Sequence, residues 1–311
     1  MGLEEARSNR LTRSTAEGAA LVRAAGALIG DPMLRGPDHL AGALIGPGLH
    51  AAALIKVPLV RRIVPAVIDR VIPGAVWFEV ARTRGMDAML LEELAAGAEQ
   101  LIVLGAGLDS RPYRLADELR CATVYEVDHP TTAAYKRERV RAVVGDPPPN
   151  VRYVTVDFDH DDLAAALGTS GFDPRTRAVV IWSGVAPYLD DGAVAATLDW
   201  FAGLAPTSAI VFDYCWKEMV DGRLDDLYGA RALRRRVAAQ GEPLRSGIPR
   251  GRAREFLARH GLELVDDIGV EEATERYLTG SDGRPAARLW EFGGVVRARV
   301  PEAGRRRSSL P

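Results

Sequence analysis

The sequence predicts an α/β protein built on an open, mostly parallel sheet, and three observations carry that reading. Short strand-like runs at Leu101–Leu104, Thr123–Val127, Val151–Val156, Ala178–Trp182 and Ala209–Tyr214 alternate with helix-like stretches at Arg111–Leu119, Thr131–Val144, Asp161–Leu167 and Asp190–Leu204. Strands alternating with helices pair in parallel through right-handed crossovers. The first run is apolar throughout, as a strand covered on both faces must be. It passes directly into Gly105-Ala106-Gly107-Leu108-Asp109-Ser110-Arg111. Bare backbone at Gly105 and Gly107 can take positive φ and come close to a nucleotide-like group. A short Gly-x-Gly is a weak signal by itself, since any tight strand–helix turn can use one.

The chain has 311 residues, 47% of them apolar, which is room for one large domain or two ordinary ones. A formal net charge of −2 leaves no electrostatic footprint for nucleic acid. The two cysteines, Cys121 and Cys215, stand in apolar, strand-like surroundings and read as reduced core thiols with no ligand cluster for a metal. The N-terminus is polar (Glu4, Glu5, Arg7, Arg10) and unlike a signal peptide. Charges at Lys56, Arg61, Arg62, Asp69 and Arg70 interrupt the most apolar region, Leu40 to Val80, so it holds no bilayer-spanning run. These features predict a cytoplasmic protein without stable membrane insertion, and they leave a homodimer open.

Residues 1–80 show no strand alternation and read as a helical N-terminal lid or extension. Ser14 to Ala27 is helix-permissive. Leu54, Ile55, Val57, Leu59, Val60, Ile63, Val64, Val67, Ile68 and Val71 form a broad apolar stripe, with Pro58 and Pro65 limiting continuous helix. A helix from Met86 to Ala96 then precedes the first strand. The α/β domain is assigned to 81–303. In the helix after the fourth strand, Val194, Leu198, Phe201 and Leu204 fall at helical spacing behind a cap at Asp190 or Asp191. The charged, helical segment 216–250 contains no strand and reads as an inserted cap. Arg252–His260 is a helix ended by Gly261. Leu262–Ile268 and Phe292–Val300 follow as two strands with no helix between them, hence an antiparallel pair. Residues 304–311, with Arg305, Arg306 and Arg307, read as a disordered basic tail.

Ligands of open α/β sheets bind outside the carboxyl ends of the strands, and here those ends carry acids. The second strand ends Glu126-Val127-Asp128, about 20 residues beyond the glycines, where a carboxylate accepts from both hydroxyls of a ribose. Alternation puts Glu126 and Asp128 on one side, so either could serve; Asp128, at the very end, is favoured. The third strand ends in Asp157-Phe158. That carboxylate can accept from an exocyclic adenine amine, the following N–H can donate to a ring nitrogen, and the Phe158 ring can cover a base.

Leu104-Gly105-Ala106-Gly107-Leu108-Asp109-Ser110-Arg111, Glu126-Val127-Asp128-His129-Pro130 with Lys136, Val156-Asp157-Phe158-Asp159 and Trp182-Ser183-Gly184-Val185-Ala186-Pro187-Tyr188-Leu189, in that order, resemble the successive motifs of the leucine carboxyl methyltransferase-like family. The likeness covers Ala81 to Tyr214 well, the C-terminal strands loosely and residues 1–80 poorly. It implies a Rossmann-like class I methyltransferase fold, with a seven-stranded, mostly parallel sheet whose last strand is antiparallel, beside the helical N-terminal part and the cap. It also implies S-adenosyl-L-methionine (SAM) as cofactor and O-methylation of a carboxyl or hydroxyl group on a small-molecule acceptor, such as a polyketide intermediate. On this resemblance Gly105, Ala106 and Gly107 form the turn beside the methionine moiety, Asp128 holds the ribose, and Asp157 with the Phe158 backbone holds the adenine. Arg82 matches the family arginine that pairs with the cofactor's carboxylate, a group that suits a guanidinium fork. Ser183 faces the cationic methionine end, where the family usually has a glutamate; serine accepts a hydrogen bond there but supplies no charge.

Methyl transfer from a sulfonium is an in-line displacement, so the protein's main work is positioning in a dry cavity. A carboxylate acceptor needs no base, whereas a phenol or alcohol benefits from one. His129, His160 and Tyr188 are the candidates, and none is assigned. Two other classes stay open. A nicotinamide (NAD)-dependent oxidoreductase would use the same glycines and Asp128, but Ser110 stands at its third glycine and Asp157-Phe158 goes unexplained. A non-catalytic SAM-binding protein of this fold is suggested by Ser183.

Overall fold

The computed structural model describes residues 16–46, 58–158 and 160–302. Ser14, the Leu54–Val57 part of the apolar stripe and the 304–311 tail lie outside the described residues. Seven strands form one sheet: β1 (Gln100–Leu104), β2 (Thr123–Asp128), β3 (Val151–Thr155), β4 (Ala178–Trp182), β5 (Ala209–Cys215), β6 (Glu263–Ile268) and β7 (Gly293–Arg299). They lie in the order β3-β2-β1-β4-β5-β7-β6. β1 to β5 pair in parallel, and β7 runs antiparallel to both β5 and β6. The chain leaves β1 towards β3 on one side and returns to β4 on the other, so the strand order reverses between β1 and β4. A crevice opens at such a point, outside the strands' carboxyl ends.

Period-two alternation within the strands serves two packed layers. Ile102, Leu104, Tyr125, Val180, Trp182 and Phe212 face one side, against Leu198, Phe201 and Leu257. Leu101, Val103, Val124, Val179, Ile181 and Val211 face the other, against Val76, Val80, Met86, Met89 and Leu90. β1, β4 and β5 are buried along their whole length, which is why they read as apolar runs, interrupted in β5 by Asp213.

The described helices are α1 (16–27), α2 (Ala41–Leu44), α3 (Pro58–Val71), α4 (Ala75–Ala95), α5 (Arg111–Arg114), α6 (Pro130–Val143), α7 (Leu163–Thr169), α8 (Asp191–Ala202), α9 (Lys217–Val220), α10 (Ala230–Ala239), α11 (Ala253–Arg259) and α12 (Val270–Tyr277). Asp190 caps α8 by accepting from the Ala193 N–H, and Gly261 takes positive φ just past α11, both as the sequence implies. No helix among the described residues is long and apolar enough to cross a membrane.

Five expectations are corrected. The helix expected to begin at Met86 begins at Ala75 and continues through Arg82; it is buried on most sides and so lacks the one-sided stripe that would have marked its first half. α4 therefore crosses residue 80 unbroken and joins the N-terminal helices to the sheet. The helix expected at Arg111–Leu119 is a single turn, because Arg111 and Arg114 are both drawn onto Asp87 at 2.8 and 2.7 Å and fix it locally. α3 runs through Pro65 instead of stopping there; it opens on Pro58, where a missing N–H costs nothing. A helix does connect β6 to β7. Glu271, Glu272, Glu275 and Arg276 mask its short apolar face of Val270, Ala273 and Tyr277, while the antiparallel pairing stands. Cys121 is exposed and only Cys215 is a core thiol, since Cys121 precedes β2 instead of lying within it.

Candidate active site

The carboxyl ends of β1 and β2 are tied together by the backbone of the glycine turn. Gly105 and Gly107 have φ of +66° and +43°, and the Ala106 N–H donates to the Val127 carbonyl at 2.9 Å. A Cβ on Gly105 would stand 2.6 Å from the Val185 side chain. Gly105→Ala is thus expected to combine left-handed strain with overpacking and cost about 1–3 kcal/mol, read as a lowered midpoint of urea unfolding; an unchanged midpoint would show that the turn relaxes freely.

Asp128 is buried, 8% exposed. Its Oδ2 accepts from the Gly107 N–H and its Oδ1 from the His129 N–H, the latter at 2.7 Å. Burial raises its pKa and the two N–H donors oppose the rise. Asp128 pairs with Thr155 across β2–β3, and its carbonyl accepts from the Val156 N–H at 3.0 Å. Asp157 therefore sits just past Asp128 on the neighbouring strand end, its N–H donating to Asp161 at 2.8 Å, followed by the half-exposed Phe158. The structure thus brings Gly105, Ala106, Gly107, Asp128, Asp157 and Phe158 to one rim, at the ends of three adjacent strands. Ser183 follows β4 across the switch point, part-buried.

Arg82 reaches the same edge from α4. Its Nη1 donates to Asp213 at 2.8 Å and its Nη2 to both oxygens of Glu79 at 2.6 and 2.8 Å. Its buried Nε has no acceptor among the described residues. Burial works against the charge on Arg82, yet Asp213 and Glu79 outweigh it, so its pKa is raised. Asp213 also accepts from the Gly184 N–H at 2.6 Å. The sequence reading passed over Asp213 and Glu79. Asp213 had a legible signal, since it is the one charged residue in the otherwise apolar run of β5.

Beneath the glycine turn lies a polar network centred on Glu126, the acid weighed in the sequence as the alternative to Asp128. Lys136, 1% exposed, places Nζ 2.5 Å from Glu126 and 3.3 Å from the Ala106 carbonyl. Tyr113 donates to Glu126 at 2.6 Å, so Glu126 is occupied underneath and Asp128 is the acid left at the rim. Arg111 pairs with Asp87 and Asp109. Burial pushes the Asp109 pKa up, but Arg111, Arg23 and Lys136 bring it below the usual carboxylate range. Arg23 of α1 donates to Asp38 and to the Leu108 carbonyl, both at 2.8 Å, fastening α1 over the turn.

Where Arg82 and Asp213 meet Gly184, a cavity of about 320 Å³ opens, lined by none of the Gly105–Phe158 rim residues. Val22, Ile68, Phe78, Val237 and Trp290 line it, together with Glu79, Arg82, Gly184, Tyr188 and Asp213. Its size falls at the lower end of small-molecule pockets. Of the three candidate bases, Tyr188 alone lines it. Burial, with Cys215 and Asp213 adding to it and Arg82 opposing, raises the Tyr188 pKa, so the phenol stays protonated. His129 instead caps α6 and bonds Thr131, and His160 is exposed.

A glycine turn, acids at adjacent strand ends and a largely apolar cavity at the carboxyl edge of a doubly wound sheet are the features of a nucleotide-type cofactor protein. The comparisons narrow that class. The leucine carboxyl methyltransferase family model matches residues 18–202, and the chain belongs to this family. A Mycolicibacterium gilvum protein, provisionally named an S-adenosyl-L-methionine-dependent methyltransferase, is 36% identical over 224 residues, 70% of this chain and 62% of the relative. One of the same name from Mycolicibacterium smegmatis is 34% identical over 151 residues, 46% of this chain and 48% of the relative. The chain thus spans about half to under two thirds of the length of these curated relatives. In fold, a DUF574-family protein from Streptomyces avermitilis superposes with a TM-score of 0.51 at 18% identity, covering 75% of this chain and 88% of that one.

Proposed function

We propose that this protein is a SAM-dependent methyltransferase that methylates an oxygen, most directly a carboxylate oxygen, of a small and largely apolar acceptor. The observation that carries the reading is that the Gly105–Asp128–Asp157 rim and the largely apolar cavity meet through one loop, in which Gly184 lines the cavity and the Val185 side chain packs over Gly105. Family membership and the names of the relatives support the cofactor, and the residues present suit it. Asp128 presents a buried carboxylate beside the Gly107 N–H of the turn, Asp157 and Phe158 stand one strand further out, and Arg82 retains a buried Nε–H with no acceptor among the described residues. When bound, SAM supplies an electrophilic methyl group on a sulfonium. The chain's own tasks are to seat it, orient the acceptor and exclude water.

The choice of a carboxylate follows from what lines the cavity. Glu79 and Asp213 are engaged by Arg82, and Tyr188 is held protonated. A carboxylate acceptor arrives ionised and needs no base. α1, α3 and α10 all contribute lining residues, so the N-terminal part and the 216–250 segment would roof the acceptor. Polyketide-type acids are one acceptor class of suitable size and polarity.

The test is methyl transfer from radiolabelled SAM to a panel of apolar carboxylic acids and phenols. Product that releases labelled methanol in mild base is an ester. Base-stable product would overturn the carboxylate choice and retain O-methylation. Failure of the protein to bind SAM, or binding of NAD in its place, would overturn the whole reading.

A further inference from the structure

The charges around Arg82 deepen this reading and rest on it. Glu79, Arg82 and Asp213 are all buried, 7%, 7% and 5% exposed. Two carboxylates share one guanidinium, and no other Lys or Arg among the described residues forms an ion pair with either acid. The trio therefore carries a net charge of −1. Removing an uncompensated charge from water is costly, and Arg82 with either acid alone would already be neutral. The surplus carboxylate faces the cavity, which all three residues line together with Gly184. Ser183, next to Gly184, is neutral.

The methionine end of SAM carries a sulfonium, an ammonium and a carboxylate, and so a net charge of +1. We infer that Asp213, together with Glu79, is the anionic wall that receives this cationic end, leaving the unpaired Nε–H of Arg82 for the ligand's own carboxylate. The wall discriminates between ligands. S-adenosylhomocysteine (SAH) has lost the sulfonium charge, so its methionine end is neutral and gains less from the surplus acid. Selectivity for the methyl donor over the spent product is thereby built into β5 and α4 and does not depend on the residue at the end of β4.

The test is titration calorimetry of the full chain with SAM and with SAH. Asp213→Asn is expected to weaken SAM by about tenfold and SAH by distinctly less. Glu79→Gln, which leaves Arg82 paired with Asp213, should shift the ratio the same way. Ser183→Glu placed in the Asp213→Asn background returns a carboxylate to the same crevice and should recover most of the lost SAM affinity. Folded variants that keep the wild-type ratio of the two affinities would overturn the inference. Should both variants fail to fold, the wild type decides: tighter binding of SAM than of SAH is expected, and a tenfold preference for SAH would overturn it. Wild-type protein that binds neither ligand removes the methyltransferase reading itself, an outcome distinct from a bound cofactor indifferent to Asp213.

Discussion

Lys136→Met is expected to destabilise the fold by about 3–5 kcal/mol, the loss that follows when one partner of a buried ion pair is removed. In a chain of this size that lowers the thermal midpoint by on the order of 10 °C. Lys136 and Glu126 are each 1% exposed and 2.5 Å apart, so the glutamate left behind has no route to water. Burial already raises the Glu126 pKa against the opposing effects of Lys136 and the Tyr113 hydroxyl. Without Lys136 it rises further, and the folded variant holds the Glu126 proton more tightly than the unfolded chain does. Stability from that proton is complete below the ordinary carboxyl range and is lost as pH climbs through the raised value. The deficit against wild type should thus be smallest near about pH 4 and largest at about pH 7–8. Glu126→Gln added to Lys136→Met should recover much of the loss. A deficit independent of pH would show that packing, and not the charge, held the lysine in place.

Asp128→Asn is expected to weaken SAM by about ten- to a hundredfold, with Asp157→Ala close behind, since charge-assisted hydrogen bonds of this kind contribute about 1.5–3 kcal/mol each. The single amide oxygen of the Asn variant can accept from only one of the Gly107 and His129 N–H groups, so a loss of about 1–3 kcal/mol in stability accompanies the loss of the anionic acceptor. The unfolding midpoint reads that loss separately, and circular dichroism should show the fold retained. Calorimetry reads the affinity, and unchanged binding in both variants would remove the adenosine site from this rim.

Particular residues show how much of this was legible. The apolar runs of β1, β4 and β5, the last broken only by Asp213, follow from coverage on both faces, and they could be read directly. The acids at the ends of β2 and β3 could be read too, because the topology implied by alternating strands and helices sends successive parallel strands to one edge. The 270–277 helix was hidden because its apolar face is only three residues wide. The early start of α4 was hidden for the opposite reason: a helix buried on most sides has no stripe.

The sequence alone determined the alternating architecture, the glycine turn and the rim where Asp128 and Asp157 meet, because each depends on local pattern and strand order. Only the tertiary structure decided that Arg82 is shared by Glu79 and Asp213, that Lys136 neutralises Glu126 beneath the turn, and that α1, α3 and α10 enclose one cavity with β5. The pairing of Arg82 with Asp213 joins residues 131 positions apart. Such pairing is a consequence of packing in three dimensions, where burial selects among many charges the few that must neutralise one another, and residue spacing along the chain carries no record of that choice.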